Sequence, residues 1–117
     1  MSKPAHTPAS AAVGIEQAIR KLDGRWKLVI LFHLFGGKRL RFSDLERAIT
    51  GISQKMLTQH LKELQRHGVV HRESYHEVPP RVEYSMTKAG EELLEALEPL
   101  GDWATKHINL ICAAEAG

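Results

Sequence analysis

A short segment of the chain holds four side chains whose chemistry suits the edges of nucleic-acid bases: Gln54, Lys55, Thr58 and Gln59. Glutamine can form two hydrogen bonds with adenine, lysine can donate to guanine, and the methyl group of threonine can contact that of thymine. Nearby basic and hydroxyl side chains are better suited to phosphate oxygens, which fix register but not sequence. This second set, which is expected to hold phosphates or to probe the minor groove through a wing, comprises Arg41, Ser43, Ser53, Lys62, Arg66, Arg72 and Arg81.

The candidate base readers fall on a helix that is predicted over residues 54–67. At about 100° per residue, three leucines share one face of this helix, namely Leu57, Leu61 and Leu64. The lysine, threonine and later glutamine side chains lie toward the other face. Ser53 is expected to cap the helix and Gly68 to end it. The polar face of an isolated amphipathic helix more often contacts only water than binds DNA. The neighbouring elements therefore decide between these two interpretations.

The elements around this helix are arranged as a helix-turn-helix followed by a β-hairpin wing. A short helix is predicted to begin at Ser43, which has Glu46 at the spacing of a capping box. Residues 50–52 form the turn between the two helices. Two strands at residues 69–75 and 81–86 flank a loop that contains two prolines. This order favours a groove-reading helix over a merely solvated one.

Further helices are predicted at both ends of this unit. Two precede it, at residues 13–22 and 25–35, and a basic stretch at residues 38–42 is a candidate small strand. The second helix is apolar almost all round, which places it at the centre of the core. Thr87 is expected to cap a final helix, in which Pro99 introduces either a kink or a restart. The predicted fold class is therefore mainly α with a small β-hairpin, a winged helix-turn-helix with N-terminal and C-terminal helices.

Length and composition indicate one globular domain. The 117 residues suffice for a single domain, predicted at residues 13–117 after a flexible tail at residues 1–12. Apolar residues make up 43% of the chain, which is typical of a globular protein. No apolar run approaches the roughly 20 residues that cross a bilayer, and the N-terminus lacks the apolar stretch of a secretory signal. The single cysteine, Cys112, fits a reducing compartment, so we expect a cytoplasmic protein with no membrane partner.

Charge is distributed unevenly along the chain. Residues 20–88 hold fourteen Lys and Arg against seven Asp and Glu, whereas residues 89–117 hold one Lys against six acidic residues. A basic body suits a polyanion such as double-stranded DNA, and the acidic end is expected to point away from it. Ordinary surface charge is the alternative explanation.

The chain resembles the HxlR-type winged-helix transcription regulators, relatives of the MarR group, over about residues 13–107. The matching segments are GRW at residues 24–26, RFSDL at 41–45, GISQKMLT at 51–58, LKEL at 61–64, GVV at 68–70 and PPRVEYSMT at 79–87. The second-helix pair Ile30-Leu31 and the later Gly90 and Trp103 also match. The GISQKMLT and PPRVEYSMT segments are specific when they occur together.

The resemblance implies a homodimer that binds a pseudo-palindromic operator through two winged helix-turn-helix units. We expect a repressor, with an activator as the alternative. The two recognition helices are then expected roughly 34 Å apart. The family pairs mainly through its N-terminal and C-terminal helices, which here carry more apolar residues than one small domain can bury. The predicted dimerisation residues are Ile15, Ile19, Leu22, Leu97, Leu100, Trp103, Ile108 and Ile111. A monomer whose terminal helices cover its own core is the alternative.

The chain departs from the family pattern in its cysteine. Some members sense oxidants through a cysteine near the start of the first helix, but the matching position here is Val13 or a neighbour in residues 11–15, and none of these is cysteine. That sensing chemistry is therefore not carried over. Cys112 is interpreted as a buried, inert thiol, with an intermolecular thiol switch as the alternative. An unidentified small-molecule effector between the terminal helices and the core is a further hypothesis.

Metal-dependent and enzymatic functions find little support in the sequence. No HxxxH pair lies on one helix turn with a supporting carboxylate, and no CxxC is present, so we expect no metal and no cofactor. The chain also lacks GxSxG, HExxH and a glycine-rich phosphate loop. The acidic pair Glu91-Glu92 is interpreted as solvated charge. The remaining alternative to a DNA-binding regulator is a winged-helix protein-interaction module without sequence-specific DNA binding.

Overall fold

The computed structural model describes residues 7–22 and 26–110 of the chain. Within these ranges the elements are α1 (Pro8–Lys21), α2 (Lys27–Leu34), α3 (Phe42–Ala48), α4 (Gln54–Arg66), β1 (Val70–Tyr75), β2 (Arg81–Met86) and α5 (Lys88–Lys106). The two strands form an antiparallel hairpin. This order confirms the predicted class, a mainly helical winged helix-turn-helix. None of the described helices is long and apolar enough to cross a bilayer.

Helix α4 begins and ends where its sequence predicts. The Ser53 hydroxyl accepts a hydrogen bond from the backbone N–H of Met56 at 3.1 Å, which satisfies one of the free donors of the first turn. Gly68 follows the helix with a φ of 79°, a conformation that glycine adopts at little cost. The three leucines of its inner face are 0–1% exposed and form the centre of the core: Leu57, Leu61 and Leu64.

A short β-bridge connects the wing to the segment that precedes α3. Leu40 and Tyr84 exchange two backbone hydrogen bonds, with N···O distances of 2.9 and 2.7 Å. The strand predicted at residues 38–42 is therefore reduced to a single bridged residue, because α3 already begins at Phe42. The bridge holds β2 against the start of α3 and so places the wing beside the helix-turn-helix.

Two helices begin earlier than their sequences indicated. Helix α1 begins at Pro8 rather than Val13, because Thr7 and Ser10 cap it reciprocally: each side-chain oxygen accepts from the other residue's backbone N–H, at 3.1 and 3.0 Å. Residues 8–12 are therefore helical and do not belong to a tail. Helix α3 begins at Phe42, where the Arg41 N–H donates to Asp44 at 2.9 Å. The predicted Ser43–Glu46 capping box is wrong, since Ser43 already lies inside the helix.

Helix α2 is buried on one side only. Three of its residues have no exposed surface and pack into the core, namely Ile30, Leu31 and Leu34. Its opposite side remains exposed, with Leu28 and Phe32 at 40% and 45% and Val29 similar. Helix α2 therefore contributes to the centre of the core, as expected, but its almost all-round apolar character does not mean that every side is buried, since Val29 is exposed. The core lies on one side of α2, and no described element covers the other.

Helix α5 packs closely onto the start of the wing. The Thr87 hydroxyl accepts from the Gly90 N–H at 3.1 Å and donates to the Gly68 carbonyl at 2.7 Å, so it caps α5 as predicted and ties it to the end of α4. A Cβ at Gly90 would overlap the carbonyl oxygen of Val69, which explains the glycine. The helix continues through Pro99 to Lys106 without a restart.

Candidate nucleic-acid interface

The outer face of α4 is a continuous polar surface, here called the reading face. Its members are all exposed and lie opposite the three buried leucines: Lys55, Thr58, Gln59, Lys62 and Arg66. Together with Glu63 they line an open depression of about 400 Å³. Because the leucines hold α4 to the core, its reading face is presented on a rigid support, as a helix that enters a DNA groove must be.

Hydrogen bonds within α4 restrict what two of these side chains can offer. The Thr58 hydroxyl donates to the Gln54 carbonyl at 2.8 Å, so Thr58 can present only its methyl group and an acceptor oxygen to a ligand. The Gln59 amide donates to the Glu63 carboxylate at 3.4 Å. Gln54 and Lys55 are exposed in the first turn of the helix, where a groove-reading helix makes base contacts.

Most of the predicted phosphate-binding residues are exposed around this face. Arg41 and Ser43 lie at the start of α3, Ser53 precedes α4, and Arg72 lies on the wing strand β1. These exposed positions lie on or next to three elements of the fold, α3, α4 and β1. A phosphate backbone is contacted in this way, from several elements at once.

Arg81 is the exception among these residues. Its guanidinium lies 4.4 Å from the ring centroid of Tyr75 and forms an ion pair with Glu77 at 3.2 Å. Glu83 lies 3.9 Å from its Nε atom. Its charge is therefore already balanced within the wing, and we remove Arg81 from the candidate phosphate contacts. Its position favours a role in holding the two strands of the hairpin together.

An ion pair that the sequence did not reveal connects the reading face to the core. The Lys27 ammonium lies 2.7 Å from a carboxylate oxygen of Glu63, and the lysine side chain is only 8% exposed. The hydrogen bond from Lys27 and its positive charge hold the pKa of the Glu63 carboxyl below its ordinary value. The spacing of Gln59 and Glu63 on one helix was visible in the sequence. The pairing with Lys27, from a distant segment, was not.

Two further polar groups, His67 and Glu91, lie in environments that the sequence did not reveal. Burial, followed by the charges of Lys21 and Lys27, lowers the pKa of His67 and so disfavours the charged form of this histidine. Glu91 is not merely solvated: it accepts hydrogen bonds from the Gly36 and Gly37 N–H groups at 3.3 and 3.0 Å. Glu91 thereby fixes the loop after α2 to α5. Within residues 7–22 and 26–110, no three His, Cys, Asp or Glu side chains are grouped to hold a metal.

The comparison with protein-family models agrees with this geometry. The model of the HxlR-like helix-turn-helix family matches residues 21–111, a range that contains α2, α3, α4, the wing and α5. The chain belongs to the HxlR family. It is a DNA-binding transcriptional regulator of the helix-turn-helix type, and its relatives are named as regulators, not as enzymes.

Individual regulators are similar to this chain over most of its length. YtcD of Bacillus subtilis, an HTH-type transcriptional regulator, is 43% identical over 99 residues, which is 85% of this chain and 78% of YtcD. The solved structure of a MarR-family transcriptional regulator from Enterococcus faecalis V583 is 36% identical, with a TM-score of 0.81 over 96% of this chain and 99% of that one. The redox regulator HypR in its reduced form is 34% identical, with a TM-score of 0.77 over 86% and 98% of the two chains.

The terminal helices of this HxlR protein expose much of their apolar surface. No residue of α1 is buried, and five of the predicted dimerisation residues are at least 49% exposed: Ile15, Ile19, Leu100, Trp103 and Ile108. Leu22 differs, because it is buried in the chain's own core, and Leu97 is half-buried against that core. We therefore remove Leu22 from the candidate partner surface. Ile111 and Cys112 lie outside the described residues.

A cavity of about 500 Å³ lies between α1, the end of α4 and the start of α5. Its walls include the apolar side chains of Leu22, Val69 and Leu93, and basic groups at its edge are Lys21 and Arg66. Arg66 also belongs to the reading face. The cavity thus borders both the terminal helices and the helix that carries the reading face.

Proposed function

We propose that this HxlR protein is a sequence-specific repressor that binds a pseudo-palindromic operator as a homodimer. The observation that carries the proposal is the reading face, an exposed row of amide, hydroxyl and basic side chains opposite three fully buried leucines. A helix built in this way can insert into the major groove without losing its attachment to the core.

The side chains divide by chemistry into base readers and phosphate contacts. Gln54, Lys55, Thr58 and Gln59 lie in the first turns of α4 and are assigned to base edges. The phosphate contacts are assigned to basic and hydroxyl groups around them: Arg41, Ser43, Ser53, Lys62, Arg66 and Arg72. Arg72 lies on the wing, which would approach the neighbouring backbone.

The dimer is assigned to the terminal helices. A helix of 14 residues is marginal in water by itself, and α1 has that length without one buried residue. Its exposed isoleucines, with Leu100 and Trp103 on α5, need a covering surface. A second copy of the chain supplies one and would place two reading faces about one DNA turn apart. An operator occupied in this way excludes other proteins from the same promoter, which is why we favour repression.

An effector would act through the 500 Å³ cavity, because that cavity contacts α1 and the end of α4 together. A ligand there could change the relative position of the two reading faces, which is a coupling between two sites. HypR is a redox regulator by its name, but the first-helix region of this chain has no cysteine at residues 11–15. We therefore propose an effector other than a first-helix thiol.

Three exposed residues provide a test with matched variants: Gln59→Ala, Lys62→Ala and Lys106→Ala. Sites are first selected from a random-sequence duplex library, and affinities are then measured at several salt concentrations. Gln59→Ala should cost about 1–3 kcal/mol at one base pair and relax specificity there. Lys62→Ala should weaken binding to all DNA sequences alike. It should also reduce the slope of log affinity against log salt concentration by about one unit.

Lys106→Ala is the control in this test, because it removes the same charge at the far end of α5 and should leave DNA affinity nearly unchanged. If the three variants lose affinity equally, the reading face is wrongly assigned. If the wild-type protein enriches no sequence and is not retained on duplex DNA at low salt, the protein-interaction alternative is correct.

A further inference from the structure

Glu63 occupies the border between the reading face and the core. It lies one helical turn after Gln59 on α4, and its side chain is 26% exposed, whereas its partner Lys27 on α2 is 8% exposed. The two charged atoms are 2.7 Å apart. A buried ammonium needs such a partner, because an unpaired charge in the core is costly. Lys27 therefore holds the Glu63 carboxylate at a defined position.

The second oxygen of the same carboxylate contacts the reading face. Glu63 Oε2 faces Lys27, while Glu63 Oε1 accepts a hydrogen bond from the Gln59 amide nitrogen at 3.4 Å. The carboxylate thus connects a buried lysine to an exposed glutamine. Each oxygen of the Glu63 carboxylate has a partner. Gln59 is therefore hydrogen-bonded to a carboxylate whose own position is fixed by Lys27.

This contact leaves Gln59 with a particular set of hydrogen-bonding groups. A glutamine amide has two N–H donors and one carbonyl acceptor. One donor is directed to Glu63, so one donor and the carbonyl remain for a ligand. Adenine presents the complementary pair in the major groove, with N7 as acceptor and the N6 amino group as donor.

We propose that Glu63 is a positioning residue whose acceptor oxygen orients the Gln59 amide for an adenine edge. This inference rests on the proposed function, since it concerns the base contact of the reading face. Lys27 has a second role in it. An unneutralised carboxylate beside the groove would repel phosphates, and the lysine balances that charge from within the core.

A purely structural role for the ion pair predicts different behaviour. If Lys27 and Glu63 only attach α4 to α2, removing them changes folding stability and lowers the affinity for all DNA sequences alike. If Glu63 orients Gln59, removing its acceptor oxygen changes the preference at one base pair and leaves the others intact. Base preference at the position read by Gln59 therefore separates the two roles.

The decisive comparison uses two double variants, Lys27→Met/Glu63→Gln and Lys27→Met/Glu63→Leu. Both lack the ion pair, and replacing such a pair by uncharged side chains is often tolerated. Only the first retains an oxygen that can accept from Gln59. Each protein, with the wild type, Gln59→Ala and Lys27→Met, is used to select sites from a random-sequence duplex library, and affinity and thermal unfolding are recorded for all five.

We expect the Lys27→Met/Glu63→Gln protein to keep the adenine preference that Gln59→Ala loses. The Lys27→Met/Glu63→Leu protein should lose that preference by roughly 5-fold or more at the same position only. Lys27→Met alone should bind every sequence more weakly than Lys27→Met/Glu63→Gln, because its carboxylate is unneutralised.

Two results would overturn the proposal. Equal adenine preference in both double variants would show that Gln59 needs no acceptor at residue 63, and loss of preference in both would show that the charged pair, not the oxygen, is required. Failure of the wild-type protein to enrich any sequence would instead refute the proposed function, so the two failures are distinguishable.

Discussion

Helices α4 and α1 both present an exposed face, but the two faces have opposite chemistry. The exposed side of α4 carries lysine, arginine, threonine and glutamine, and its other side is anchored by leucines with 0–1% exposure. Helix α1 exposes isoleucines at 57–62% and has no buried residue at all. One helix is held by the core of its own chain, and the other is not.

This difference separates the two roles of the protein. A polar face above a complete core is stable in water and is available to a hydrated, charged ligand such as DNA. An apolar face without a core behind it is stabilised only when another surface covers it. The reading face should therefore depend on contacts within one chain, and α1 on contacts between chains. The predictions that follow test this contrast, beginning with the largest expected effect.

Leu57→Ala should reduce the free energy of unfolding by about 2–5 kcal/mol, because it leaves a cavity at a fully buried position beneath the reading face. The loss should be the same at every protein concentration. Val78→Ala, at a completely exposed position on the wing loop, is the control and should stay within about 0.5 kcal/mol of the wild type. Denaturant unfolding measures both. A neutral Leu57→Ala would mean that α4 is not anchored as described.

Ile19→Asp should weaken self-association by roughly 10-fold or more, since burial of one isoleucine side chain contributes about 1.5–3 kcal/mol. Gln17→Asp places the same charge on the same helix at a polar position and should leave the dimer unchanged. Sedimentation velocity over a concentration series measures both. Equal behaviour of the two variants would exclude the isoleucine face of α1 from the dimer.

The Lys27–Glu63 pair should make a smaller, pH-dependent contribution to stability. The pKa of Glu63 is lower in the folded chain than its ordinary value, so the pair stabilises the fold above the ordinary glutamate pKa, and this stabilisation is lost as pH falls through the lower folded value. The difference in melting temperature between wild type and Glu63→Gln should be present at neutral pH and disappear in acid. A melting-temperature difference between these two proteins that does not change with pH would contradict a stabilising role for this ion pair.

Local patterns predicted the helix-turn-helix and the wing, but not the contacts between distant segments. The leucine spacing, the Ser53 cap and Gly68 defined α4 because each acts within a few residues. Capping was misassigned at Ser43, since Asp44 and Glu46 offer competing carboxylates and only the backbone path decides between them. The exposed side of α2 was missed because hydrophobicity alone does not reveal which side other elements will cover.

The candidate site was predictable to a similar extent. The reading face followed from helical periodicity and side-chain chemistry, so the sequence identified every member of it. The pairing of Arg81 with Glu77 and of Lys27 with Glu63 depends on how strands and helices are brought together. Residue types and spacing do not report such tertiary pairings, and so Arg81 was included and Glu63 was omitted.

The most direct test of the reading face is cleavage of DNA by a chelated iron attached to α4. The tether is placed at Met56→Cys, on the flank of α4, or at Thr105→Cys near the end of α5, both in a Cys112→Ser background. The duplex is a site selected by the wild-type protein. Met56→Cys should cleave it in two clusters about 10 base pairs apart, and Thr105→Cys should not cleave it there. Equal cleavage from both positions, or none from Met56→Cys while the protein is bound, would contradict the account.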